Sequence, residues 1–141
     1  MTDEPTLADY PLAETRPERV RALSGKPMAA ITLDAVLAGE VGMDDLRIDA
    51  GALRQQAAIA RAAGRPTLAR NLERGADLVA VPQDVIMRIY DLLRPGRAAS
   101  KDELLAAARE LRDDYGAATV AAFVEEAAEV YERRGLFTYR F

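Results

Sequence analysis

The run "LRQQAAIARAAGRPTLARNLERGADLVAVPQDVIMRIYDLLRPGRA", residues 53–98, constrains the fold more than any other part of the chain. Proline has a fixed φ and no amide hydrogen, so it suits the first turn of a helix and breaks one elsewhere. With Pro66, Pro82 and Pro95 as punctuation, the run reads as three helices joined by very short connections. The first spans about residues 50–63, preceded by Asp49 and ended by Gly64. The second opens at Pro66 and places Leu68, Leu72, Gly75, Ala76 and Val79 on one face. The third opens at Pro82 and ends at Pro95 and Gly96. Its Val85, Ile86, Ile89, Leu92 and Leu93 form the strongest apolar stripe in the sequence. Leu72, Ile86, Ile89 and Leu93 are expected in the chain's own core.

Capping signals extend this pattern in both directions. Thr32 can cap a short helix that Gly39 closes, and Asp44 can cap another turn or two. "SKDE" at 100–103 is a capping box, in which Ser100 and Glu103 satisfy each other's end of the turn. The helix it opens carries Leu104, Ala108, Leu111 and Tyr115 on one face. Gly116 breaks the chain, and a last long helix places Val120, Phe123, Val124, Ala127 and Tyr131 inward. No period-2 strand pattern precedes the tail. The expected fold is therefore all-α: a compact bundle of about four to five helices over residues 31–134. Much of its apolar content is alanine, which favours thin, close-packed helices over a thick aromatic core.

Two flanking segments differ in kind. Residues 1–30 hold four of the seven prolines and show no sustained helical period, so they read as an extended N-terminal arm. At most a short helix is expected near Glu18–Leu23. Within the arm, Tyr10, Pro11 and Leu12 are apolar groups in a segment that cannot build its own core, and they are expected to dock on something. Residues 135–141, "GLFTYRF", form a short aromatic C-terminal tail, in which Phe137, Tyr139 and Phe141 alternate. A strap or a small strand fits that pattern.

The sequence is poor in tools for chemistry. It has no cysteine and no histidine, which removes disulfides, thiolate metal sites, the commonest general base and the commonest transition-metal ligand. Glu125, Glu126 and Glu129 have no histidine to complete a di-iron bundle, and read as an exposed acidic face. A helix-turn-helix around Gly116 would present "AATVAAFVEEAAE", without Arg, Lys, Asn or Gln to meet bases. With a net charge of −4, no nucleic-acid partner is expected. Ser24 and Ser100 lack an activating partner, and "SGKP" at 24–27 lacks the spacing of a phosphate loop. No apolar run approaches the roughly 20 residues that span a bilayer, and the acidic N-terminus is unlike a presequence, so a cytoplasmic location is expected.

Structure without chemistry points to binding. Between Arg47 and Arg74 there are six arginines against Asp49 and Glu73, whereas Lys101 to Arg134 holds five bases against nine acids. The first of these faces, with Arg54, Arg65, Arg70 and Arg74, is a candidate partner surface because the guanidinium fork is favoured at interfaces. From the residues alone, the reading is a helical interaction subunit, the alternative being a stand-alone helical adaptor or regulatory interaction protein.

An ordered set of segments carries a resemblance. "DYPLA" at 9–13, "TLDAVLAGEV" at 32–41, "MDDLRI" at 43–48 and "LRQQAAIARAAGR" at 53–65 come first. "LARNLERGADLVAVPQDVIMRIYDLLRP" at 68–95, "KDELL" at 101–105 and "AAFVEEAAEVY" at 121–131 follow. Together they resemble the small subunit of the adenosylcobalamin-dependent diol and glycerol dehydratases. The resemblance implies large and medium subunits as partners, in a dimer of heterotrimers. It also implies adenosylcobalamin and a cation bound by those other subunits, and a radical dehydration of a vicinal diol such as 1,2-propanediol or glycerol to an aldehyde. No catalytic, cofactor-binding or metal-binding residue carries over to this chain. What carries over is docking, through Tyr10, Pro11 and Leu12 in the arm and through Arg54, Arg65, Arg70 and Arg74. Many enterobacterial members have an N-terminal extension that targets a protein-shelled microcompartment. Only eight residues precede "DYPLA" here, so targeting through this chain is not expected. The tail "GLFTYRF" also lies outside the resemblance.

Overall fold

The computed structural model describes residues 3–138. Among these, seven α-helices and four single turns of 3-10 helix account for the regular structure, and the only β pairing is an isolated bridge between Arg21 and Pro27. The all-α expectation holds, with more helices than expected because two of them, α1 (Leu12–Thr15) and α2 (Leu33–Leu37), are one turn long. The remaining helices are α3 (Ala50–Ala62), α4 (Pro66–Leu78), α5 (Gln83–Leu92), α6 (Lys101–Tyr115) and α7 (Ala118–Arg134). The chain divides into two compact units, with the boundary between Val79 and Ala80.

The first unit is built on the α3–α4 hairpin. Asp49 caps α3 by accepting the Ala52 N–H at 2.9 Å. Gly64, at φ +73°, closes the same helix. The Arg65 N–H reaches the Ala60 carbonyl at 2.9 Å and the Gly64 N–H that of Arg61 at 3.0 Å, so the orphan carbonyls of the last turn are satisfied. Pro66 then starts α4 at once. The helices meet through Ala57, Ala60 and Ala69, with Leu72 packed against them. This shifts the inward face of α4 from the expected one. Ala69 and Ala76 are buried, while Leu68 and Val79 lie at the exposed edges. Small side chains at the seam let the backbones approach closely, and the larger residues are displaced to the flanks.

The arm advances in single turns, because prolines at 5, 11, 17 and 27 interrupt any longer helix. A 3-10 turn at Leu7–Asp9 lies against α3, α1 follows, and the short helix expected near Glu18–Leu23 is a 3-10 turn at Pro17–Arg19. Asp9 accepts the Thr6 N–H at 2.8 Å, and Gln55 of α3 donates to the Arg19 carbonyl at 3.3 Å. Farther on, Thr32 caps α2 by accepting the Ala35 N–H at 3.2 Å, and Gly39 closes it at φ +75°. The expectation that Asp44 caps the next turn is corrected. Gly42 occupies the cap of the 3-10 turn Met43–Leu46, and Asp45, three residues on, reaches back to the Gly42 N–H at 3.0 Å.

The second unit packs α5 on α6 and α6 on α7. Val85 and Ile89 of the expected α5 stripe are buried, with Ile86, Leu92 and Leu93 half-buried. Ser100 caps α6 by accepting the Glu103 N–H at 3.4 Å. The Glu103 carboxylate reaches back one residue farther than expected, to the Ala99 N–H at 2.6 Å. The α6–α7 seam consists of Leu104, Ala107, Ala108 and Leu111 against Val120, Ala121, Val124 and Ala128. Phe123, expected inward, is 41% exposed, because the small Ala121 and Ala128 occupy the contact. Arg112 clamps the seam from outside, donating to both carboxylate oxygens of Glu125 at 2.6 and 2.9 Å. The Tyr131 hydroxyl donates to the Leu93 carbonyl, and the Phe137 ring packs on Tyr131 at a centroid distance of 6.2 Å. Tyr139 and Phe141 lie outside the described residues.

Candidate interaction site

The first unit contains a cleft of about 560 Å³ between the arm and the α3–α4 hairpin. Its lining brings together four of the residues singled out in the sequence: Tyr10, Pro11, Leu12 and Arg65, with Leu68 and Leu72 behind them. Leu12 is buried in the unit itself, whereas Tyr10 is 68% exposed at the rim. The arm's own register thus splits the "DYPL" motif, with one apolar group facing inward and one outward.

Arg54, Arg70 and Arg74 are not part of that lining. Arg54 pairs with Asp77 at 3.4 Å and Arg74 donates to Asn71, both within the same hairpin. Arg61, which was not singled out, pairs with Glu73, and the bond holds its guanidinium above the usual range. Part of the arginine-rich face is therefore occupied in tying α3 to α4. Among the described residues no cluster of three or more His, Cys, Asp or Glu side chains could hold a metal ion, and no helix is long and apolar enough to cross a membrane.

"SGKP" has a structural role that its sequence did not announce. The Ser24 hydroxyl donates to one oxygen of Asp45, and the Lys26 ammonium and the Gly42 N–H converge on the other at 2.9 and 3.0 Å. The Ser24 bond, then the Gly42 amide and the Lys26 ammonium, pull the Asp45 carboxyl down to about 2, against an ordinary value of 3.8. This hub ties the arm to the turn after α2. Because the folded value is depressed, its stabilisation is complete above the ordinary carboxylate range and is lost as pH falls from there through about 2. An NMR titration of the Asp45 carboxyl carbon should give a midpoint near 2, moving upward in Ser24→Ala. A wild-type midpoint at the ordinary value would show that the hub does not form.

Sequence reasoning missed a different surface. Between residues 33 and 48 the structure leaves Leu33, Leu37, Met43, Leu46 and Ile48 more than half exposed. The signal was present. Leu33, Val36 and Leu37 are spaced to share one face of a helix only five residues long, and Met43 and Leu46 are three apart. Capping signals such as Thr32 are local and carry no information on which apolar groups a turn displays.

Comparison with known proteins decides which kind of chain this is. A family model described as "Dehydratase small subunit" matches residues 6–138. The chain belongs to the dehydratase small-subunit family. It is 48% identical over 128 residues to the propanediol dehydratase small subunit of Citrobacter freundii, an alignment covering 91% of this chain and 74% of the relative. Identity to the propanediol dehydratase small subunit of Salmonella typhimurium strain LT2 is also 48% over 128 residues, covering 91% and 73% respectively. The resemblance carried by "DYPLA" and the segments after it is borne out, and the family match runs from the arm through both units.

Proposed function

We propose that this dehydratase small subunit is the non-catalytic small subunit of an adenosylcobalamin-dependent diol or glycerol dehydratase. The observation that carries this reading is the family match over residues 6–138, joined by 48% identity to small subunits of propanediol dehydratases. In such an enzyme the cofactor supplies the radical that drives dehydration of a vicinal diol to an aldehyde. The residues of this chain do not fit either the cofactor or a cation. The sequence has no His or Cys to ligate a transition metal, no carboxylate cluster that could hold a cation lies among the described residues, and the cleft of the first unit sets one guanidinium, one carboxamide and the Tyr10 phenol among apolar side chains. In this reading both groups, and the substrate pocket with them, belong to other subunits.

The role of this chain is to bind the large subunit from outside, in a cytoplasmic dimer of heterotrimers with large and medium subunits, and to stabilise that assembly. Tyr10, Pro11 and Leu12 of the arm and Arg54, Arg65, Arg70 and Arg74 of the hairpin are proposed contacts. Native mass spectrometry of material captured through a tag at Met1 tests the reading. Two larger chains in equal copy number, with cobalamin-dependent diol dehydration in the eluate, are expected. A homogeneous free monomer or homodimer at low salt would replace this reading with that of a stand-alone adaptor.

A further inference from the structure

An apolar surface lies on residues 33–48. Leu33 and Leu37, 72% and 76% exposed, share a face of α2 with Val36. Met43 and Leu46, 74% and 55% exposed, stand three apart in a 3-10 turn, where side chains at that spacing eclipse one another. Ile48 follows at 65%. Neither α2 nor the 3-10 turn buries an apolar residue of its own, whereas Val41 between them is 5% exposed. Of the larger apolar side chains, one is buried and six are exposed.

The display is firmly mounted. The Thr32 cap, Gly39 at positive φ and the Asp45 hub fix the two turns, so the apolar groups are presented from an ordered backbone. Ordering them in a complex then costs little, which is the condition under which exposed apolar groups become strong contacts. Charge narrows the partner. Asp34 and Glu40 are exposed on the same stretch and belong to no ion pair among the described residues, while Arg47 is already paired with Asp44 at 3.4 Å. The outward groups are thus apolar with an acidic fringe. Their complement is an apolar cleft with a cationic rim.

We infer that residues 33–48 are the anchor by which this chain seats in an apolar cleft, rimmed by Lys or Arg, on the large subunit of its dehydratase. The inference rests on the subunit reading above and goes beyond it. Leu33 and Leu37 carry most of the affinity, as the few central apolar residues of an interface do.

The test co-expresses the full chain, tagged at Met1, with the large and medium subunits, and compares wild type, Leu33→Asp/Leu37→Asp and Glu126→Gln. Both leucines are exposed, so the double variant should melt where wild type does. Its affinity for the larger chains should fall about 30-fold or more, the equivalent of about 2 kcal/mol. Glu126→Gln, on the exposed face of α7, should bind as wild type. Full recovery of the larger chains by the double variant would overturn the anchor while leaving the subunit reading intact. Failure of wild type to recover them would overturn the subunit reading and the anchor together. A wild-type homo-oligomer dispersed by the double variant would assign the surface to a second copy of the chain and overturn the large-subunit partner.

Discussion

Replacing Leu104 with alanine should destabilise the second unit by about 3–4 kcal/mol, the upper-middle of the range for a buried leucine truncated to alanine. Leu104 is fully buried, and the residues that α7 buries at the seam are small or rigid: Val120, Ala121, Val124 and Ala128. Alanines cannot lean into the space a lost isobutyl group leaves, so the cavity persists and its cost adds to the lost transfer energy. Leu104→Met keeps the volume and should cost less than about 1.5 kcal/mol. Hydrogen exchange of the α6 amides in both variants reads the stability of this unit directly, without assuming that the whole chain unfolds in one step. A loss below about 1 kcal/mol in Leu104→Ala would show that the seam closes more freely than the packed alanines allow.

The seam of the first unit should fail in the opposite way. Ala69 is fully buried against Ala57 and Ala60. A leucine there must force α3 and α4 apart or take a strained rotamer, at a cost of about 1–3 kcal/mol. Ala69→Glu adds a charge at a fully buried position packed with the apolar Ala57, Ala60 and Leu72, and should cost about 3–5 kcal/mol, the scale seen for an uncompensated buried charge. Denaturant midpoints of the two variants separate volume from charge, since raising the proton concentration should recover part of the glutamate's loss and none of the leucine's. If the two variants are equally destabilised at neutral and acidic pH, charge burial is not the reason.

The parts of this fold that were legible in the sequence are those that depend on one backbone group or one side chain. Asp49, Thr32 and Ser100 cap the helices they precede, Pro66 begins α4, and Gly64 and Gly116 take the left-handed conformation that ends α3 and α6. Such signals are local and chemically specific. The inward faces of α4 and α7 were harder to read, because they are lined by alanine. Alanine's apolar signal is weak, and a helix rich in it has no single obvious side. Phe123 is expected inward with Val120 and Val124 on helical spacing, but the close approach of α6 selects Ala121 and Ala128 beside the two valines instead. The interaction surface was legible only in part. The sequence points to Tyr10 and Arg65, which the fold brings to one cleft. It does not show that Arg54 and Arg74 are engaged within the hairpin, or that Leu33 and Leu37 face outward, since both facts depend on long-range packing.

The alanine seams also set how the chain responds to temperature. An alanine side chain has no rotamers to lose, so ordering these interfaces sacrifices little side-chain entropy. Each alanine in turn removes little apolar area from water, and it is the hydration of that area that gives unfolding its large heat capacity change. A protein closed mainly by alanine should therefore have a smaller heat capacity increment per residue than the ordinary ~12–15 cal/mol/K, and a flatter dependence of stability on temperature. Its margin is spread evenly over a wide range, rather than concentrated at one optimum.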